Sequence, residues 1–367
     1  MVDDMPTAAP ITTATPVVAG TPVVECRDVW KLFGARAKEG LAAVRREGLG
    51  KPELLERFDC VLGVAGATFT VAEGEIFCIM GLSGSGKSTL VRHINGLIEP
   101  TDGAVLIHGE DISRKPAAEL RKLRAQHMGM VFQSFALLPD RCVLDNVAFG
   151  LELRGMARAE REQRAMAVLE QVQLTPWAYR LPAELSGGMQ QRVGLARALA
   201  GDPEILLMDE PFGALDPLIR RQLQDQFLEL SRKMRKTTIF ITHDLDEAIR
   251  LGTRIAIMRD GALVQIGTPS EIVRKPKDAY VADFVSGLSR LKLLRASDVM
   301  RPLDKALSDG ETRRWPRATV DSDLDTLVDL AAASDDPILV LGRNGHPEGV
   351  VDKRALLRGI QGKPSDG

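Results

Sequence analysis

The stretch Gly81-Leu82-Ser83-Gly84-Ser85-Gly86-Lys87-Ser88-Thr89 constrains this chain more than any other. It fits the phosphate-binding loop pattern at every position, after an apolar run (Ile76 to Met80) and before a helical pattern that opens at Thr89. The glycines let successive backbone N–H groups turn inward around phosphate oxygens. Lys87 is placed to neutralise β- and γ-phosphates, Ser88 to hold Mg²⁺, and the helix start adds its positive dipole end. An inert glycine-rich turn is the alternative, and the complete match in a strand–loop–helix setting disfavours it.

Apolar, β-rich runs recur at 128–132, 205–208, 238–241 and 254–258, separated by helical segments. Continuous rather than alternating runs read as strands covered on both faces, hence a mostly parallel sheet wrapped by helices. Residues 23–33 and 60–73 also read as strands. Between them, 35–57 reads as one or two short amphipathic helices broken near Gly48, Gly50 and Pro52. Residues 136–195 are helical and polar, which predicts a helical subdomain inserted into the α/β core. Residues 1–22, rich in Thr, Ala and Pro, read as a disordered lead-in. The expected main domain is 23–288. The expected α+β tail, 289–367, has a helix over 323–333, a strand over 337–341, a Gly-rich turn, a strand over 348–351 and a helix over 353–360.

The run Ile205-Leu206-Leu207-Met208 ends in two acids. At the carboxyl end of a strand beside the phosphate loop, Asp209 is placed for a second Mg²⁺ contact and Glu210 to take a proton from an attacking water. Charge narrows the partners: 48 basic and 50 acidic residues leave a net charge of −2, without the basic excess of a non-specific nucleic-acid binder. No stretch approaches the roughly 20 apolar residues that span a bilayer. Asp3, Asp4 and nearby prolines stand where a signal peptide carries basic and apolar regions. The expected location is the cytoplasm, with any membrane role supplied by a partner. Cys26, Cys60, Cys78 and Cys142 lack metal-site spacing and read as buried small hydrophobes.

Leu185-Ser186-Gly187-Gly188-Met189-Gln190-Gln191-Arg192 resembles the signature motif of the ATP-binding cassette (ABC) family, a polar Gly pair at a helix start. The resemblance implies a phosphate-loop ATPase core with a mostly parallel sheet, an antiparallel β subdomain and a helical subdomain, using ATP and Mg²⁺. In that family the signature acts on the ATP held by the opposite subunit. One loop and one signature per chain then imply a homodimer with two sandwiched ATPs, where Ser186, Gly187, Gly188 and Gln190 reach the partner's nucleotide. Gln133, in Val131-Phe132-Gln133, resembles the loop glutamine that senses Mg²⁺ and the attacking water. Asp216, in Ala214-Leu215-Asp216, resembles the loop that contacts the second subunit. His243, in Ile241-Thr242-His243-Asp244, resembles the histidine that holds the γ-phosphate and Glu210 in register. Phe33 is the candidate for stacking on adenine, with Trp30 as competitor.

A finer resemblance, over about residues 23–290, is to the glycine betaine/proline/choline importer ATPases. It rests on the stretch from Gly81 to Thr101, on Val131-Phe132-Gln133-Ser134-Phe135-Ala136-Leu137-Leu138-Pro139, on the run from Met208 to Arg220, and on the basic insert at 35–57. It implies uptake of a quaternary-ammonium osmolyte, with the chain peripheral on the cytoplasmic face of the inner membrane. A permease is expected to dock near residues 134–150, through Phe135, Leu137, Leu138 and Phe149. A separate periplasmic or lipid-anchored protein would deliver the solute. In the tail, Ala296-Ser297-Asp298-Val299-Met300 resembles the entry to a cystathionine-β-synthase-type (CBS) module, and 320–360 resembles the second half of one. The tail has room for one truncated module, where relatives often carry a pair. Two other readings remain open: an importer ATPase for an amino acid or polyamine, and a soluble ABC ATPase switch without a permease.

Overall fold

The computed structural model describes residues 21–213, 215–286, 291, 294–303, 314–342 and 344–361. Most of the expected lead-in, and Ala214, lie outside the described residues. Two compact units divide between Gly267 and Thr268, ahead of the boundary near 288 that the sequence pattern suggests. Side-chain ties explain the difference: Ser270 Oγ and Arg274 Nη1 each lie 2.9 Å from Asp298 Oδ1, so the segment after Gly267 belongs with the tail.

The first unit opens with β1 (Pro22–Phe33), helices α1 (Ala37–Glu47) and α2 (Lys51–Phe58), then β2 (Val61–Ala72) and β3 (Ile76–Met80). α1 ends where Gly48 takes a left-handed conformation (φ 70°) and donates its N–H to Val44 O. α2 starts at Gly50, whose N–H donates to the Glu53 carboxylate at 2.6 Å. The pair buries Leu41 and Leu54 against Leu32 and Cys60, so the insert packs as a small lobe on β1. Next come α3 (Lys87–Ile94), β4 (Asp102–Ile107), β5 (Glu110–Asp111), α4 (Ala117–His127) and β6 (Met128–Val131). β4 and β5 join β1 and β2 in an antiparallel sheet of order β2-β1-β4-β5.

Helices α5 (Val143–Leu153), α6 (Arg158–Gln171) and α7 (Gly187–Leu199) enclose their own apolar centre, including Val147, Leu151, Leu169 and Val193. The chain returns through β7 (Ile205–Asp209), α8 (Pro217–Met234), β8 (Thr237–Thr242), α9 (Leu245–Leu251), β9 (Arg254–Arg259) and β10 (Ala262–Gly267). The large sheet has the order β10-β9-β3-β8-β7-β6, parallel except at its β10 edge. Its central strands are buried throughout, as continuous apolar runs require. One core joins the two sheets, with Phe69 of β2 stacked on Phe77 of β3 at 4.9 Å between ring centroids.

The second unit holds α10 (Pro269–Arg274), α11 (Ala279–Ser286), α12 (Ala296–Val299), β11 (Arg301–Pro302), β12 (Arg317–Thr319), α13 (Leu324–Ala333), β13 (Ile338–Leu341), β14 (Pro347–Val351) and α14 (Lys353–Gln361). Its sheet order is β11-β14-β13-β12. The helix–strand–strand–helix succession over 323–361 follows the sequence pattern; the short strands β11 and β12 carry too little periodicity to be read in advance.

Candidate active site

Parallel pairing makes the strand ends line up. Met80 pairs with Thr242, Asp209 with Ile241, and Val131 with Met208. The loops that leave β3, β8, β7 and β6 therefore emerge side by side at one edge of the sheet, where open α/β sheets bind ligands. They carry the phosphate loop, His243, Asp209 with Glu210, and Gln133.

In the phosphate loop, Gly81, Gly84 and Gly86 all have positive φ (155°, 76° and 102°). A Cβ on Gly81 would collide with Met258 O, and one on Gly86 with Gly63 O, so backbone on both sides excludes any side chain. Ser83 is exposed, whereas Ser85 is buried and its Oγ has no hydrogen-bond partner. Lys87 curls back over the loop and donates to Gly81 O (2.8 Å) and Leu82 O (3.0 Å). Burial pulls its ammonium below the usual lysine range, against the opposing pull of Glu210 and Asp209. A lysine parked on weak carbonyl partners, beside an orphaned buried hydroxyl, is a cradle built for an anion.

Ser88 Oγ donates to Asp209 Oδ1 at 3.3 Å. Burial pushes the Asp209 carboxyl above its ordinary range and Glu210 adds to that, while Ser88, Arg92 and Lys87 oppose it. Gln133 Nε2 donates to Glu210 Oε2 at 3.0 Å, and His243 Nδ1 lies 3.2 Å from the same oxygen. Two side chains from separate strands thus aim at one carboxylate atom. Phe33 is 41% exposed and packs on Gly63 beside Thr89, at the start of α3. Trp30 instead donates to Asp28 and lies under the Arg45 guanidinium, with its ring against the insert lobe.

Ser186 caps α7, its Oγ accepting from Met189 N at 3.4 Å, and Gln190 Nε2 donates to Pro182 O and Leu185 O. Gly187 and Gly188 face Leu215 and Ile219. Asp216 is exposed and caps α8, accepting from Leu218 N and Ile219 N, both at 3.1 Å. These polar contacts are local, so the signature and Asp216 form a second surface whose glycine-lined helix start does not belong to the cluster around Glu210.

Phe135, Leu137, Leu138 and Phe149, the side chains expected to meet a permease, are each half-buried. Leu137 packs against the helical subdomain's core, and Phe149 lies under Arg141 at 5.0 Å. The large apolar side chains that stand out in that subdomain are Leu153, Trp177, Tyr179 and Leu181.

A supporting network escaped the sequence reading. Glu247, almost fully buried, accepts from Thr242 Oγ1 at 2.7 Å and from Gln224 Nε2 at 3.2 Å. Arg220 reaches Asp244 Oδ2 at 3.3 Å and Leu215 O at 3.1 Å. Together they brace the turn that carries His243. The spacing Asp244-x-x-Glu247 was the available signal, since Asp244 caps α9 by accepting from Glu247 N.

The family profile described as ABC transporter matches residues 64–213. The glycine betaine/proline betaine transport system ATP-binding protein ProV of Salmonella typhimurium is 52% identical over 278 residues, 76% of this chain and 69% of that protein. The glycine betaine/carnitine transport ATP-binding protein GbuA of Listeria monocytogenes is 50% identical over 277 residues, 76% of this chain and 70% of that protein. A solved dimeric ATP-binding cassette in a post-hydrolysis state with ADP and Pi superposes with a TM-score of 0.56 at 32% identity, covering 67% of this chain and 98% of that one.

Proposed function

The chain belongs to the ABC transporter ATP-binding proteins, in the group that serves glycine betaine transport, and on that premise we propose that it hydrolyses ATP to drive import of a quaternary-ammonium osmolyte through a membrane permease. The observation that carries the catalytic reading is the meeting of Gln133 and His243 on one oxygen of Glu210, next to Asp209, Ser88 and Lys87.

Glu210 takes the proton from the attacking water, and Gln133 and His243 hold its carboxylate in line with the γ-phosphate. Lys87 leaves its loop carbonyls for the β- and γ-phosphates, and the N–H groups from Gly81 to Thr89 close around them. The oxygens of Ser88, Asp209 and Gln133 form the hard donor set that Mg²⁺ takes, and burial of Asp209 favours a cation beside it. When bound, that ion neutralises charge on the phosphate oxygens. Phe33, exposed where Trp30 is engaged, stacks on adenine. Ser186, Gly187, Gly188 and Gln190 complete the site of a second copy, with Asp216 at the junction. This head-to-tail pairing is in keeping with the dimeric form of the solved cassette.

No helix among the described residues is long and apolar enough to cross a membrane; we assign the chain to the membrane's periphery, with an integral permease as the partner that carries the solute. Residues 134–150 remain our assignment for that contact, joined by exposed Trp177 and Tyr179. The solute reaches the permease from a separate binding protein. The chain from Thr268 onward packs as its own unit, and within it residues 289–367 are our assignment for a shortened CBS-like regulatory module.

Glu210→Gln should lower ATP turnover by about a thousandfold while ATP binding persists, as loss of a positioned base does; a variant with parental turnover overturns the assignment. In vesicles holding the chain with its permease and binding protein, labelled glycine betaine or choline should accumulate with ATP. Uptake of an amino acid or polyamine in their place would support the runner-up reading.

A further inference from the structure

Two of the five histidines in the chain meet at one carboxylate, far along the sheet from the nucleotide cluster. His108 Nε2 lies 2.7 Å from Glu204 Oε2, and His127 Nδ1 lies 3.2 Å from the same atom. All three ligand atoms lie within 4.8 Å of one another. Glu204 precedes the first residue of β7, whose last residue is Asp209, so the cluster sits at the opposite ends of the strands from the catalytic loops.

The backbone holds each member independently. Met128 of β6 pairs with Ile205 of β7, which sets His127 and Glu204, the residues just before them, side by side. Glu204 O accepts from Thr237 N at 3.0 Å. His108 turns between β4 and β5 in a left-handed conformation (φ 50°), and its N–H donates to Val23 O at 2.9 Å. The side chains face an open depression of about 430 Å³, lined also by Ile107, Glu110 and Leu123. Burial pushes the Glu204 carboxyl up, but hydrogen bonds from His127 and His108 outweigh it and leave it below the ordinary glutamate range.

We infer that His108, His127 and Glu204 form a binding site for one divalent transition-metal ion of the zinc class. Two imidazoles and a carboxylate are the donor set such ions prefer over Mg²⁺ or Ca²⁺. The open depression leaves the remaining coordination positions to water. Binding needs only a small retreat of Glu204 Oε2 from the two nitrogens, since ligand atoms around one zinc stand farther apart than hydrogen-bonded ones. The bound ion would lock the β4–β5 turn to the starts of β6 and β7, and so act on stability rather than on the chemistry at Glu210.

The test uses the full-length chain without an affinity tag, freed of metal by a chelator. Zn²⁺ titration by calorimetry should give one ion per chain. His108→Ala and His127→Ala should each weaken it roughly a hundredfold or more, whereas Asp209→Asn and Cys142→Ser should leave it unchanged. At a hundredfold excess over its Kd, Zn²⁺ should raise the unfolding midpoint by roughly 5 °C. Co²⁺ should give visible d–d absorption that both histidine variants lose. ATP turnover without zinc should be the same in His108→Ala as in the parent. If an alanine variant fails to fold, His108→Gln and His127→Gln keep a polar side chain without the imidazole. No saturable Zn²⁺ binding, or binding that survives both histidine replacements, overturns the inference.

Discussion

Glu210 occupies the left-handed region (φ 45°) although it has a Cβ, and its N–H donates to Ile241 O at 3.0 Å. Strain of this kind persists where the surroundings hold it, and here it turns the carboxylate toward Gln133 and His243. His93, in the last turn of α3, shows a different cost. Its Nδ1 donates to Ile98 O at 2.7 Å, which leaves Nε2 as a buried acceptor without a partner. Burial lowers its pKa to about 4, against the help of the Ile98 carbonyl, because a second proton would sit on an unpaired buried nitrogen. The unfolded chain therefore takes up a proton near pH 6.5 that the folded chain refuses until about pH 4. Stability should fall by about 3 kcal/mol as pH drops through that window. His93→Gln should flatten the slope of denaturation midpoint against pH between 4 and 6.5, and an unchanged slope would remove His93 as its source.

Among the elements, β3 is the one on which the phosphate loop depends, and it is anchored at its start by a buried ion pair. Arg254 Nη1 lies 3.1 Å from Glu75 Oε1, with both side chains nearly inaccessible. Glu75 Oε2 accepts from Ala72 N at 2.7 Å, so one carboxylate joins the β2–β3 turn to β9. Arg254 Nε and Nη2 have no partner. Glu75→Leu should destabilise the first unit by roughly 3–5 kcal/mol, because it leaves an uncompensated buried guanidinium. The double replacement Glu75→Leu with Arg254→Met should cost clearly less, measured by chemical denaturation. Neither residue stood out in the sequence. A glutamate just after a glycine turn and an arginine opening a strand are ordinary until tertiary packing buries them together.

At the scale of the whole molecule, the proposed function makes two half-sites of the loop cluster around Glu210 and the exposed helix start at Ser186. ATP should bring two copies together, and the Glu210→Gln chain, unable to turn over, should sediment as a dimer with ATP and a monomer without it. Adding Ser186→Arg should return it to the monomer while helix content stays the same. A dimer that survives that change would place the contact elsewhere.

The runs that hold the phosphate loop, the two acids at the end of β7, Gln133, His243 and the proposed signature could be picked out in advance because each lies in a contiguous stretch. So could the parallel sheet, because strands buried on both faces need unbroken apolar runs. The gathering of Gln133 and His243 on one oxygen of Glu210 depends on strand order and register, which bring together residues 77 or more apart from Gln133's side of the chain. The bracing by Glu247 and Arg220, the Glu75–Arg254 anchor and the His108–His127–Glu204 cluster likewise exist only in the folded chain. Their members are separated in sequence, and only burial and hydrogen bonding between separate elements assign them a role.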